Sequence, residues 1–127
     1  MNNYKIRVTD WEKYQHYKKK NKNFNNEQKW FMVYGRVLLR DMRFMQLTPT
    51  QRDFLLLCWC VGSQDNGFLP EIQQLAFWLR RDESEALLLL NFLLSKGWFV
   101  KVSIDNYDEI QDVQQEVIYK NRMKKLN

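Results

Sequence analysis

The chain has 127 residues, of which 45% are hydrophobic and 15% aromatic, so it carries enough apolar side chains to fold as one domain. Only four glycines and two prolines are present, which excludes collagen-like and linker-like sequences and favours helices. The formal net charge of +5 is uneven: residues 1–60 carry 12 Lys and Arg against 5 Asp and Glu, and residues 61–127 carry 8 against 10. A basic N-terminal half indicates a polyanionic partner such as nucleic acid, with solubility as the alternative explanation.

Apolar runs and cysteines exclude several further classes. The longest apolar run, Phe54 to Val61, is far shorter than the roughly 18–20 residues of a membrane span, and the N-terminus is polar. We therefore expect a soluble, cytoplasmic protein with no membrane partner. Cys58 and Cys60 point in different directions on a helix, and His16 is the single histidine, so the sequence predicts no disulfide, no zinc site and no cofactor. Both cysteines are interpreted as small core residues.

The N-terminal third begins with a short strand and a basic segment. Tyr4, Ile6 and Val8 alternate with charged residues, which predicts an edge strand. Residues 11–30 interleave six lysines with aromatic side chains, and their Asn-rich part is a poor helix former, so an arm or long loop is expected. Apolar spacing then predicts a helix over residues 28–43.

The middle of the chain carries clear start and turn signals. Thr-Pro-Thr-Gln at 48–51 is typical of a capping box with Pro at the first helical position, and the helix is expected to end at Gly62. Because this helix is apolar almost all round, it is predicted to be the central, buried one. Asn66-Gly67 predicts a tight turn after it.

Two further helices and a strand complete the pattern. The first is expected to open at Pro70 and to bury an apolar stripe formed by Ile72, Leu75, Ala76, Trp78 and Leu79. Asp82 is the predicted N-cap of the second, and Gly97 ends it. Residues 98–104 alternate as a strand. This order predicts a mainly α (α+β) fold, a winged helix-turn-helix with a small β wing.

Residues 1–127 are interpreted as a single domain with three parts. Residues 1–27 form the basic aromatic arm, residues 28–104 the winged-helix core, and residues 105–127 a C-terminal helix or basic tail.

Several short motifs, taken in order, resemble a known protein family. They are the opening Trp11 with Tyr14–Lys18, the helix end Leu38–Asp41, the turn Asp65–Pro70, the helix Ile72–Leu79 and the strand start Gly97–Val100. Over about residues 8–103 the chain resembles the N-terminal winged-helix domain of bacteriophage replication-initiation or replisome-organiser proteins. The resemblance implies DNA binding at a phage replication origin, or recruitment of host replication machinery.

The candidate nucleic-acid-binding residues are cations in three groups. They are Lys13, Lys18, Lys19, Lys20, Lys22 and Lys29 in the arm, Arg36, Arg40 and Arg43 on one polar stripe, and Arg80 and Arg81 at the helix-turn-helix corner. Such side chains neutralise phosphates without reading bases. A solvated, solubilising arm is the alternative for the lysines. The aromatics of the arm either stack on single-stranded bases or, as we favour, pin the arm onto its own domain.

Acidic residues point to a second hypothesis. The helix in the recognition position opens with Asp82, Glu83 and Glu85, and carboxylates repel phosphate. The alternative function is a small phage accessory or anti-defence protein whose winged helix binds and inhibits or redirects a host protein, and a homodimer stays open.

The acidic cluster at 105–116 is more typical of a solvated helix face than of a metal-dependent nuclease, and no catalytic motif is present, so no enzyme is expected.

Overall fold

A computed structural model of the chain describes residues 3–14, 31–107 and 110. Within these residues, six helices lie between two strands in chain order. The elements are β1 (Tyr4–Val8), α1 (Trp11–Tyr14), α2 (Gly35–Arg40), α3 (Met42–Met45), α4 (Pro49–Gly62), α5 (Ile72–Leu79), α6 (Glu83–Ser95) and β2 (Phe99–Ser103). The described part is mostly helical with one small antiparallel sheet, which confirms the predicted α+β class at that level.

The sheet joins the two ends of the described chain. β1 and β2 pair antiparallel, with Tyr4 opposite Ser103 and Val8 opposite Phe99. This register buries Val8 and Phe99 in the core, and a single bridge between Arg7 and Phe68 adds a third segment. Both strands were predicted from their alternating sequence. Among the described residues β2 pairs with the N-terminal strand, not with a strand that follows it.

Helix α4 begins as its sequence predicts. The Thr48 hydroxyl accepts a hydrogen bond from the Gln51 backbone N–H at 3.2 Å, and the Gln51 side chain accepts one from the Thr48 N–H at 2.9 Å. These reciprocal bonds satisfy two of the backbone donors that a helix start leaves without partners. The helix ends at Gly62, where the backbone of Gly67 lies 3.2 Å from the place a Cβ would occupy.

Only one face of α4 is buried, which corrects the expectation of a helix surrounded by core. Phe54, Leu55 and Cys58 are fully buried, whereas Leu56 is 38% exposed and Cys60 is exposed. The helix packs against α6 and β1, and these two neighbours do not enclose it. Cys60 is therefore not the core residue that was expected, because position 60 lies on the uncovered face.

The helix predicted over residues 28–43 is shorter and broken. Residues 31–34 are not helical, α2 covers only Gly35–Arg40, and the chain leaves the helical conformation at Asp41. Asp41 has φ −86° and ψ 109°, and its Oδ1 accepts hydrogen bonds from the N–H groups of Arg43 at 2.9 Å and Phe44 at 3.4 Å. The side chain thus caps a new helix, α3, and this local bond replaces the helical one.

Helices α5 and α6 form the predicted helical pair, joined by Arg80, Arg81 and Asp82. Arg80 takes a left-handed conformation with φ 55°, Asp82 is the extended N-cap residue of α6, and Gly97 with φ 86° follows the end of that helix. Two details differ from prediction. α5 begins at Ile72 after its N-cap Glu71, not at Pro70, and Trp78 of the predicted apolar stripe is 48% exposed. The stripe is buried at Leu75 and Ala76, where α5 meets α6.

Candidate nucleic-acid interface

The described residues include the beginning of the basic aromatic segment, up to Tyr14. Lys13 is exposed on α1, whereas Lys18, Lys19, Lys20, Lys22 and Lys29 lie outside the described residues. Trp11, two residues before Lys13, is only 6% exposed, and its ring centroid lies 6.0 Å from that of Phe31. Gly67 provides the space for this indole, because a Cβ there would lie 2.6 Å from Trp11 Cγ. Trp11 therefore fixes the start of the arm onto its own domain.

Arg36 and Arg40 lie one turn apart on α2 and are both exposed. No residue of α2 is buried, so the two guanidinium groups extend from a helix that stands at the surface. Residues 31–52 contain four arginines and a single carboxylate, that of Asp41. This stretch is thus the most basic part of the described chain.

Arg43 does not lie on the same helix as Arg36 and Arg40. This corrects the prediction that the three arginines, spaced i, i+4 and i+7, share one polar stripe of a helix. The break at Asp41 moves Arg43 onto α3, where its guanidinium lies over the Trp98 ring at 5.1 Å and 3.4 Å from the Asp41 carboxylate. Its side chain is still 69% exposed. Arg43 is therefore held at the surface by a cation–π contact and an ion pair, and it remains accessible to an anion.

The contacts around Asp41 lower the pKa of its carboxyl group. Partial burial would raise its pKa, but the hydrogen bonds from the Arg43 side chain and from the backbone N–H groups of Phe44 and Arg43 hold the pKa below its usual value of 3.8. The Asp41 carboxyl group is therefore ionised at neutral pH, and it already accepts the hydrogen bonds that cap α3. It offsets part of the positive charge next to it.

The two arginines at the helix-turn-helix corner have different surroundings. Arg80 is exposed, and its backbone forms the left-handed C-cap of α5. Arg81 donates to the Asp53 carboxylate on α4 and, at 3.1 Å, to Glu85 on α6, and its side chain is only 19% exposed. Arg81 therefore connects two helices, and its donors are directed at protein carboxylates rather than at solvent.

The first turn of α6 carries the acidic residues that the sequence placed there. Asp82, Glu83 and Glu85 are all exposed. The Ser84 hydroxyl donates to the Asp82 carboxylate, and this bond, with one from the Glu85 N–H, lowers the pKa of Asp82. Leu87 and Leu88 follow at 43% and 73% exposed. This face of α6 is acidic and then apolar, and neither property suits the phosphates of a DNA groove.

The sequence did not reveal a pocket of about 190 Å³ between β1, α2 and the start of β2. Aromatic rings form much of its wall, and the polar groups of Asp41 and Arg43 border it. The rings are those of Trp11, Phe31, Tyr34, Trp59 and Trp98. The available signal was the helical spacing of Tyr34, Val37, Leu38 and Asp41, which was interpreted as part of the longer helix over residues 28–43.

The described part of the chain also bears on metal binding, thiol chemistry and membrane spanning. No group of three His, Cys, Asp or Glu side chains there is arranged to hold a metal ion. Burial raises the pKa of the Cys58 thiol, so that group is an unreactive core side chain. Helices of the described ranges are all too short or too polar to cross a bilayer.

Comparison with known proteins adds no relative: no family model, no curated protein and no solved structure matches the chain.

Proposed function

We propose that the chain is a phage-derived DNA-binding protein of the replication-initiation type, with a winged-helix fold, that binds mainly through phosphate contacts. The observation that carries the proposal is the exposed pair Arg36 and Arg40 on α2, next to Arg43 on α3. Guanidinium groups on a rigid helix bind phosphate oxygens with two parallel hydrogen bonds. The phage origin and the replication role are supported by the sequence resemblance alone.

The winged-helix proposal is supported by the order α5, α6, β2, in which two packed helices lead directly into a strand. Because the first turns of α6 are acidic and then apolar, we propose that the DNA contacts lie elsewhere. We assign them to the α2–α3 surface and to the lysines of the arm. A protein of this kind binds DNA with little dependence on sequence.

The test is fluorescence anisotropy of labelled duplex and single-stranded DNA at several salt concentrations. We expect a dissociation constant of roughly 10⁻⁴–10⁻⁶ M at physiological salt that tightens steeply at low salt. The double variant Arg36→Gln/Arg40→Gln should reduce the slope of log K against log salt on duplex by roughly 2, because each lost phosphate contact removes about 0.9. Reversal of charge at Lys18–Lys20 tests the arm in the same assay.

The matched control is Lys96→Gln/Lys101→Gln, which removes the same charge from two exposed lysines that lie outside α2 and α3. It should bind with the slope of the wild type. Equal binding by the α2 variant and the wild type would exclude α2 as the interface. No binding by the wild type even at low salt would overturn the DNA proposal.

A second candidate function rests on the apolar surface of the α5–α6 pair. Phe77 is 78% exposed and Leu88 is 73% exposed, and the acidic groups of Asp82 and Glu83 lie at the start of the same helix as Leu88. Exposed large apolar side chains are typical of protein-binding surfaces. The partner that fits is a host or phage replication protein, or another host factor, with an apolar patch and a basic rim.

The two functions respond differently to salt. Docking through Phe77 and Leu88 should persist at high salt, whereas phosphate binding is lost. The measurement is retention of a purified candidate partner, or of a second copy of the chain, by the wild type and by Phe77→Ser/Leu88→Ser. Loss of retention in the variant at high salt supports the second function, and equal retention excludes this surface.

A further inference from the structure

The pocket beside α2 has the size of one aromatic ring system. Its volume is about 190 Å³, and a cavity of roughly 150 Å³ in another protein holds benzene. Sites for drug-sized ligands and larger cofactors occupy about 300–1,000 Å³. The pocket therefore fits a single planar ring with its substituents, and it is too small for a dinucleotide cofactor.

The walls of the pocket suit a planar, aromatic ligand. The Trp59 and Trp98 rings are tilted by 58° with centroids 6.5 Å apart, and the Trp11 and Phe31 rings are tilted by 36°. Trp59 also stacks on Phe44, with centroids 6.4 Å apart and planes at 16°, and Arg43 lies over the Trp98 ring. One face of each of these two rings is therefore covered, and the opposite face is the one that a ligand can contact. Bases of single-stranded nucleic acid stack on such aromatic side chains irrespective of sequence.

The Arg43 guanidinium at the pocket suits the base and the charge of a nucleotide. Arg43 lies over Trp98 with its side chain 69% exposed, and a guanidinium plane is itself a stacking surface for a base. A purely hydrocarbon ligand would leave this exposed guanidinium unused.

The geometry of α2 connects the pocket to the basic surface. Successive residues on a helix are rotated by about 100°, so Val37 and Leu39 lie on opposite sides of the row formed by Arg36 and Arg40. Val37 lines the pocket and is 53% exposed, whereas Leu39 lies away from it and is 72% exposed. A strand whose phosphates follow the two arginines therefore passes the mouth of the pocket on the Val37 side.

We propose that the pocket bordered by Trp98, Arg43 and Val37 binds one unpaired base of single-stranded DNA whose phosphates lie along Arg36 and Arg40. This inference rests on the proposed DNA binding and adds a preference for single strands over duplex. A base that is paired and stacked inside a duplex cannot enter the pocket unless it is first extruded.

The experiment compares two single-stranded oligonucleotides of equal length and charge, one with thymine bases and one with abasic sites throughout. The wild type should bind the thymine strand more tightly than the abasic strand by about 5- to 150-fold, since stacking contributes about 1–3 kcal/mol per base. It should also bind the thymine strand more tightly than a duplex of the same length. Anisotropy at constant salt measures all three affinities.

Two variants of α2 test whether the base is held in this pocket. Val37→Trp fills the pocket from a half-exposed position, so it should remove the preference for the thymine strand and leave binding of the abasic strand unchanged. Leu39→Trp is the matched control, since it adds the same side chain on the other side of the arginines. It should keep the preference of the wild type, and circular dichroism should show that both variants fold.

The outcomes separate the two proposals. Equal binding of thymine and abasic strands by the wild type overturns the base pocket and leaves phosphate binding intact. An unchanged preference in Val37→Trp, or its loss in Leu39→Trp, overturns the assignment to this pocket. If the wild type binds no oligonucleotide at low salt, the DNA-binding function itself fails and the base pocket fails with it.

Discussion

Gly67 fixes the position of the N-terminal segment on the domain. It has φ 86°, its carbonyl accepts the Val8 N–H at 2.8 Å, and its N–H donates to the Gly62 carbonyl at 2.7 Å. The missing Cβ leaves room for the Trp11 indole. From the turn after α4, Gly67 thus contacts both the end of β1 and the Trp11 side chain.

Gly67→Ala should destabilise the protein by roughly 2–5 kcal/mol. The substitution combines the strain of a left-handed backbone, about 1–2 kcal/mol, with overpacking against Trp11, about 1–3 kcal/mol. The measurement is the free energy of unfolding in urea.

Gly97→Ala is the matched control for this prediction. Gly97 also has φ 86°, but nothing lies within 4 Å of the place where its Cβ would be. Gly97→Ala should therefore lose only the stability that left-handed backbone strain costs, about 1–2 kcal/mol. Equal losses in the two variants would show that the contact with Trp11 is not tight.

Asp41 gives the protein a pH-dependent contribution to stability. Its pKa in the folded state lies below 3.8, so the ionised form stabilises the fold above that value and the contribution disappears as pH falls through the lower, folded pKa. Asp41→Asn keeps a capping oxygen but cannot ionise. The stability difference between wild type and variant should be constant above pH about 5 and shrink in acid, measured by urea unfolding. A difference that does not change with pH would contradict this.

At the level of elements, Arg81 joins α4 to α6. It bonds to Asp53 on one helix and to Glu85 on the other, and its guanidinium carbon lies 6.0 Å from the centroid of the buried Phe54 ring. Sequence reasoning assigned Arg81 to DNA, together with Arg80, because both occupy the corner between two helices. The partner on α4 is 28 residues away, and that contact is created only by folding.

Arg81→Met should lower the free energy of unfolding by about 1 kcal/mol. Its partners are half-exposed, so the two ion pairs are partly screened by solvent. Arg80→Met is the control and should change stability by less than about 0.5 kcal/mol, because Arg80 is exposed. Urea unfolding of both variants measures the difference, and equal losses would rule out a connection through Arg81.

The break between α2 and α3 is the feature that the helical periodicity of the sequence did not predict. Tyr34, Val37, Leu38 and Asp41 follow helical spacing, so the pattern favoured one continuous helix. Asp41 instead uses its short side chain to cap α3. In the structure these four residues border the pocket, and Leu39 and Met42 are both 72% exposed.

At the scale of the whole molecule, β1 closes the fold. It supplies the partner of β2 in the described sheet, the N–H of Leu69 donates to the Ile6 carbonyl at 2.8 Å, and Val8 lies in the core. The N-terminal strand therefore belongs to the domain, although the sequence analysis grouped residues 1–27 together as an arm.

Deletion of residues 1–9 should abolish cooperative folding. It removes a strand pairing and the burial of Ile6 and Val8, each of which contributes about 1.5–3 kcal/mol, from a domain whose total stability is of the order of 5–15 kcal/mol. Tyr4→Thr, at the exposed end of the strand, should unfold cooperatively like the wild type. Thermal unfolding followed by circular dichroism distinguishes the two. A truncated chain with an unchanged transition would mean that β1 is dispensable.

Local signals in the sequence determined the elements whose ends depend on adjacent residues. The capping box of α4, the Asn66-Gly67 turn and the glycine after α6 all follow from hydrogen bonds or φ preferences within a few residues. The two strands follow from side-chain alternation, which matches the period of the pleat.

Tertiary structure decided which faces are covered and which side chains meet. Cys60 and Trp78 lie on the same helices as buried apolar side chains, yet Cys60 is exposed and Trp78 is 48% exposed. Arg43 meets Trp98, and Trp11 meets Gly67, across more than fifty residues of chain. The pocket and the α4–α6 connection arise from such contacts, because periodicity reports the shape of one segment and carries no information about the segment packed against it.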